Sequence, residues 1–150
     1  MSLMNEVTAA IADAMRRQDR ATLSALRMLK AALMNRSVEK GRDLDAGEER
    51  QVVQSLVKQR KDSIEQFRLG NRQDLVDKET AELAILDTYL PPAADPVLVD
   101  RAIADAIAES GATSAKDMGR VMKTVMAKLA GQNIDGKTVN ELVRARLGGA

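Results

Sequence analysis

Residues 111–147 read GATSAKDMGRVMKTVMAKLAGQNIDGKTVNELVRARL, and they describe two helices with their ends marked. Ser114 and Asp117 have the S-x-x-D spacing of a capping box, in which each side chain bonds the backbone N–H of the other residue. Gly131 is placed to stop the first helix, because glycine takes the positive φ of a helix terminus at little cost. Asp135 is placed to cap the second. Met118, Val121, Met122, Val125, Met126 and Leu129 recur at i, i+3, i+4 and i+7 and make one apolar stripe. At about 100° per residue, Lys116, Arg120 and Lys123 fall on the opposite side. Such a helix needs a partner for its apolar side and leaves a basic ridge outside.

Working back from this pair, the same signals recur. Pro91-Pro92 ends a helix, since proline lacks the N–H and restricts the residue before it. The segment PPAADP (91–96) is the one clear linker. Asp95 then caps a helix with Pro96 at its first position. That helix runs through Val99, Ile103 and Ile107 to Gly111. Ahead of the linker, residues 3–17 form one apolar face with Leu3, Val7, Ala10, Ile11, Ala14 and Met15. Asp19 caps a helix over 20–40 with Leu23, Leu26, Leu29, Leu33 and Met34 inward and Gly41 at its end. Asp45 and Glu48 form a D-x-x-E box opening a helix over 46–69, with the stripe Val53, Leu56, Val57, Ile64 and Phe67 and Gly70 at its close. A fourth helix, 72–89, turns Leu75, Leu83, Leu86 and Leu90 inward. No strand-like alternation, internal repeat or low-complexity tract interrupts this. The expected fold is all-α. A four-helix part at 1–92, with a long antiparallel hairpin of its second and third helices, precedes a small three-helix domain at 95–150.

Composition agrees and narrows the chemistry. The 150 residues contain no Cys, His or Trp, one Phe and one Tyr. The core must therefore be aliphatic, and disulfides and thiolate metal sites are excluded. Without His and Cys there is no Ser-His-Asp triad, no Cys-His pair and no Glu-x-x-His di-iron set. No phosphate-cradling glycine loop occurs. Asp74, Asp77, Glu79 and Glu82 lack the spacing of a carboxylate metal loop and suit the first turns of a helix instead. No catalytic residue, metal or cofactor is expected, and Tyr89 reads as a packing residue beside the joint. No run approaches the ~18 apolar residues of a membrane span. MSLMNEVTAA lacks the features of a signal peptide, so the expected location is cytoplasmic with no membrane partner. Met4 is an alternative start, with MSL then an added leader.

Net charge is +1, but it is divided. Residues 1–95 carry 15 basic and 16 acidic side chains, and residues 96–150 carry 8 and 6. Lys116, Arg120, Lys123 and Lys137 are the candidate anion contacts, with Lys128, Arg144 and Arg146 near them in sequence. Other charges break the apolar stripes. Arg60 falls inside the third helix's stripe, Glu79 and Glu82 inside the fourth's, and Arg27 and Lys30 on or beside the second's. A lone buried charge is costly, so these should pair across the interface. Arg60 with Glu82 or Glu79 is the expected pair, with Arg27 or Lys30 as the next member. This is read as a structural ion network rather than a ligand pocket.

The motifs S-x-K-D-M-G-x-V-M at 114–122, Gly131, Asp135-Gly136-Lys137 and Val139 resemble the tail of the GatB/YqeY family. LSALRMLKAAL (23–33), KQRKDSIEQF (58–67) and GNRQDLVDKETAELAILDTYLPP (70–92) are similar to that family's N-terminal helices, in the same order. The resemblance spans nearly the whole chain in the order of the free-standing form. It implies an all-helical, tRNA-associating accessory protein, related to the tail of the glutamyl-tRNA(Gln)/aspartyl-tRNA(Asn) amidotransferase B subunit. The catalytic cradle domain of that subunit is absent here. The alternatives it leaves are a module that docks on an amidotransferase or aminoacyl-tRNA synthetase, and a carbon–nitrogen ligase using glutamine as amido donor. The last label suits the full subunit better than this chain.

Overall fold

A computed structural model describes residues 2–148. Among them are seven α-helices: α1 (Leu3–Arg16), α2 (Arg20–Lys40), α3 (Ala46–Leu69), α4 (Gln73–Asp87), α5 (Pro96–Ser110), α6 (Met118–Lys128) and α7 (Gly136–Gly148). A 3₁₀ turn, Ala115–Asp117, leads into α6. Extended pairing among the described residues is limited to one parallel bridge, Ala93 with Asn133. The fold is all-α. It divides into two compact units at the Leu90–Pro91 bond, at the start of the proline segment.

The starts of α1, α2 and α5 follow their capping residues. Ser2 accepts the Asn5 N–H at 3.2 Å, Asp19 that of Thr22 at 3.1 Å and Asp95 that of Val97 at 2.9 Å. Leu3 N–H bonds Glu49 of α3 at 3.0 Å, so the chain start is tied into the first unit; Met1 lies outside the described residues. Gly41 and Gly111 end α2 and α5 with φ of +70° and +66°. Gly70 does not follow suit. Its φ is −84°, and Asn71, at +57°, takes the left-handed position instead. Asparagine tolerates that region better than other side-chain-bearing residues, so the left-handed turn falls one residue later, while α3 itself ends at Leu69 with Gly70 as its C-cap, as expected.

In the first unit, α1–α4 enclose an aliphatic core around Val7, Leu26, Leu29, Leu33, Val53 and Leu86. Helices α2 and α3 form the antiparallel hairpin. Lys40 meets Glu48 at 3.3 Å beside the turn, while far up the same pair Arg60 reaches the Met28 sulfur. Helix α3 packs still more extensively on α4. There the charges on the apolar faces meet. The Arg60 guanidinium pairs with Glu79 at 2.5 Å and with Glu82 at 3.1 Å. The three side chains are 12%, 11% and 2% exposed. Among the described residues no buried side-chain nitrogen or oxygen lacks a hydrogen-bond partner.

Two expectations for α2 need correction. Arg27 is exposed, Lys30 is half-buried, and neither is ion-paired to this cluster. Met34, expected inward, is 52% exposed. The cause is the same: α2 turns Ala25, Leu26, Leu29 and Leu33 inward. Arg27 and Met34 each lie roughly 100° around the helix from Leu26 or Leu33, off that side.

The D-x-x-E box at α3 is complete. Asp45 accepts the Glu48 N–H at 2.8 Å, and Glu48 accepts that of Asp45 at 3.2 Å. Glu48 also takes Arg42 at 2.8 Å. These bonds, Arg42 first, hold its carboxyl down at about 2. A depressed carboxylate contributes stability above its unfolded value, near 4.3, and loses it as pH falls through the folded one. Between about pH 4.5 and 2, Glu48→Gln is therefore expected to lose stability less steeply than the wild type. Urea melts across that window check this, and parallel pH curves for the two proteins would refute it.

Candidate nucleic-acid interface

The second unit is built from α5, α6 and α7 around Ile103, Ala106, Val121, Val125, Val139 and Val143. The start of its middle helix differs from the expected capping box. Ser114 caps the 3₁₀ turn, accepting the Lys116 N–H at 3.4 Å, while Asp117 accepts the Thr113 N–H at 3.2 Å. The Asp117 N–H bonds the Ser114 carbonyl instead of its hydroxyl. The extra tight turn shifts both side-chain bonds by one residue, so α6 begins at Met118 rather than at Ala115. The helix ends at Lys128, and Gly131 takes φ +83° in the turn beyond. Asp135 then caps α7 through the Lys137 N–H at 3.1 Å and the Thr138 hydroxyl at 3.1 Å.

Of the apolar stripe on α6, Val121, Val125 and Leu129 are buried, and Met118 and Met122 pack against them. Met126 stays 40% exposed. It lies roughly 60° around from Leu129 and sits at the stripe's edge. Helix α7 packs on both α6 and the 3₁₀ turn before it, so it runs back along α6 as an antiparallel pair. The eleven residues of α6 make it about 16 Å long.

This geometry places the four candidate cations. Lys116 stands on the 3₁₀ turn at one end of the pair, and Arg120 and Lys123 follow on the outer side of α6. Lys137 stands on the first turn of α7, at the other end. All four are exposed. They form a row along the hairpin rather than one cluster.

The ion pairs sort them further. Arg120 is bonded to Asp117 at 2.8 Å, Lys128 to Glu109 at 2.7 Å and Arg146 to Asp100. The Glu109 bond, above all, raises the Lys128 pKa and keeps it charged but occupied. Lys116, Lys123, Lys137 and Arg144 are exposed, and among the described residues none of the four has an ion partner. Arg144 was not among the expected contacts. Seven residues from Lys137, it returns to within about 20° of it on the outer side of α7, and that spacing was the available signal.

A cleft of about 620 Å³ opens between the linker, α5 and α7, walled by Pro96, Val97, Val99, Ile134, Val139 and Leu142. Its polar side chains are already engaged. The Asn133 amide donates to the Pro91 carbonyl at 2.7 Å, and Asp135 caps α7. The cleft thus offers aliphatic surface and no free charge for an anion. Among the described residues no helix is long and apolar enough to cross a membrane.

A family model for Yqey-like proteins matches residues 4–147, across both units. The chain belongs to this GatB/YqeY family. It is 28% identical over 150 residues to altered inheritance of mitochondria protein 41, mitochondrial, of Pyrenophora tritici-repentis, a match covering 97% of this chain and 81% of that protein. The protein of the same name from Lachancea thermotolerans is 34% identical over 89 residues, 57% of this chain and 48% of that one. The one from Kluyveromyces lactis is 36% identical over 77 residues, 51% and 42% of the two chains. The mitochondrial designation is part of those proteins' names.

Proposed function

We propose that this Yqey-like chain is a tRNA-associating accessory protein that holds the phosphate backbone without reading sequence and without chemistry of its own. The observation that carries the reading is the set of exposed cations Lys116, Lys123, Lys137 and Arg144 on the α6–α7 pair, none of which has an ion partner among the described residues. Cations on rigid helices contact phosphates and fix orientation, and they carry no base information. The scarcity of aromatic side chains agrees with this, since gripping single-stranded bases relies on stacking. The family's relation to the amidotransferase B-subunit tail points to tRNA among the nucleic acids. The glutamine-dependent ligase label belongs, on this reading, to the complete subunit. The proposed place of action is the cytoplasmic tRNA pool, beside an amidotransferase or aminoacyl-tRNA synthetase.

Filter binding of bulk tRNA across a salt series tests the proposal. About four phosphate contacts give a slope of log K against log salt of about −3 to −4. Absence of binding at low salt, or binding indifferent to salt, would sink it.

A further inference from the structure

Helix α2 of the first unit presents an outward side that the fold leaves unused. Opposite its buried Leu26, Leu29 and Leu33, the side chains of Arg20, Arg27, Ala31, Met34 and Val38 fall within about 60° of one another. All five are exposed, Met34 by 52% and Val38 by 80%. The row runs from cationic to apolar over about 27 Å. Helix α2 contains no carboxylate before Glu39. Neither Arg20 nor Arg27 has an ion partner among the described residues.

Several other surface arginines of the same unit have a carboxylate beside them, Arg36 on α2 itself among them. Arg17 has Asp13 at 2.8 Å, Arg36 has Glu39 at 3.1 Å and Arg68 has Glu65 at 2.6 Å. The outward side of α2 combines cations that have no ion partner among the described residues with aliphatic side chains in a single line.

We propose that the outward side of α2 docks an amphipathic helix of a partner protein that carries carboxylates at one end of its contact row and aliphatic side chains at the other. Charge complementarity selects this occupant. The partner's carboxylates meet Arg20 and Arg27, where α2 supplies none of its own. Its aliphatic row lies over Ala31, Met34 and Val38. Ala31 lets the two backbones approach, and methionine adapts its shape to what it meets. A phosphate backbone has no use for Met34 and Val38. A membrane surface needs bulkier anchors than these two provide. The inference stands apart from the tRNA reading, which rests on the other unit.

The test is a photo-crosslinking benzoylphenylalanine introduced at Val38 in the full chain, expressed in the cells that make it. The expected result is a nuclease-resistant adduct to one polypeptide. Mass spectrometry of the joined peptide should place it in a helix with Asp or Glu beside an apolar row. Arg20→Glu with Arg27→Glu should lower the adduct yield at least tenfold while leaving helicity, melting and tRNA retention unchanged. A nuclease-sensitive adduct, adducts scattered over abundant proteins, no adduct, or a yield indifferent to the charge reversal would each overturn it. Loss of tRNA binding in the reversed protein would show instead that α2 serves the nucleic acid.

Discussion

Replacing Arg60 by Met is expected to destabilise the first unit by about 3–5 kcal/mol, the range for removing one partner of a buried ion pair. Stoichiometry decides the size of the loss. One guanidinium serves two carboxylates, Glu79 and Glu82, and Glu82 is 2% exposed. Without Arg60 both carboxylates stay between α3 and α4 with no cation, so desolvation and mutual repulsion act together. Loss of Glu82 alone is milder, because Arg60 and Glu79 still form a neutral pair. Glu82→Gln should therefore cost much less than Arg60→Met. In the Arg60→Met background, Glu79→Gln with Glu82→Gln should recover more than half of the loss. The chain offers a selective readout. Tyr89 is its one tyrosine and there is no tryptophan, and Tyr89 packs against the core of the first unit. Urea unfolding followed by tyrosine fluorescence thus reports that unit alone. If Arg60→Met unfolds within about 0.5 kcal/mol of the wild type, the difference made by ordinary surface changes, the cluster is solvent-neutralised and the argument fails.

That cluster shows how far one-dimensional periodicity reaches. Arg60, Glu79 and Glu82 each interrupt an otherwise apolar stripe, and costly burial leaves mutual pairing as the one economical outcome. The same logic misled for Arg27 and Lys30. A helical wheel gives angles but not which angle faces inward, and the α2 stripe is broad enough to admit two choices. Packing on α1, α3 and α4 turned Ala25, Leu26, Leu29 and Leu33 in, and Met34 with Arg27 out. Ends were legible where chemistry forces them, as with the reciprocal bonds of Asp45 and Glu48. The local backbone and bonding were less legible where a competing residue stood one place away, even where the helix end itself was right, as at Gly70. Asn71 took the left-handed turn from Gly70, and a 3₁₀ turn moved the bonds of Ser114 and Asp117. At the basic row, residue type named the cations, but only the folded structure shows which are already matched. Asp117 lies one helical turn from Arg120 and that pair is local, whereas Glu109 and Asp100 reach Lys128 and Arg146 across helices.

The matching of charges yields the sharpest prediction for the proposed interface. The triple replacement Lys116→Ala, Lys123→Ala and Lys137→Ala removes three exposed cations that have no ion partner among the described residues. Each phosphate contact contributes roughly 0.9 to the salt slope and about a factor of eight to ten in affinity at 0.1 M salt. The triple variant should therefore bind tRNA about 10²–10³-fold more weakly there, with a slope shallower by about 2.7. Lys128→Ala serves as the counterpart. That lysine is charged and close in sequence, but Glu109 holds it at 2.7 Å, so its loss should change affinity by less than about threefold, on the scale of a surface ion pair. Arg120→Ala, whose guanidinium is held by Asp117 at 2.8 Å, should fall between the two. These side chains are exposed, so circular dichroism and melting should remain those of the wild type. An equal loss from Lys128→Ala and from any single unpaired lysine would mean that summed charge, not the free row on α6 and α7, governs binding. A triple variant that still retains tRNA with the wild-type slope would remove this face from the interface altogether.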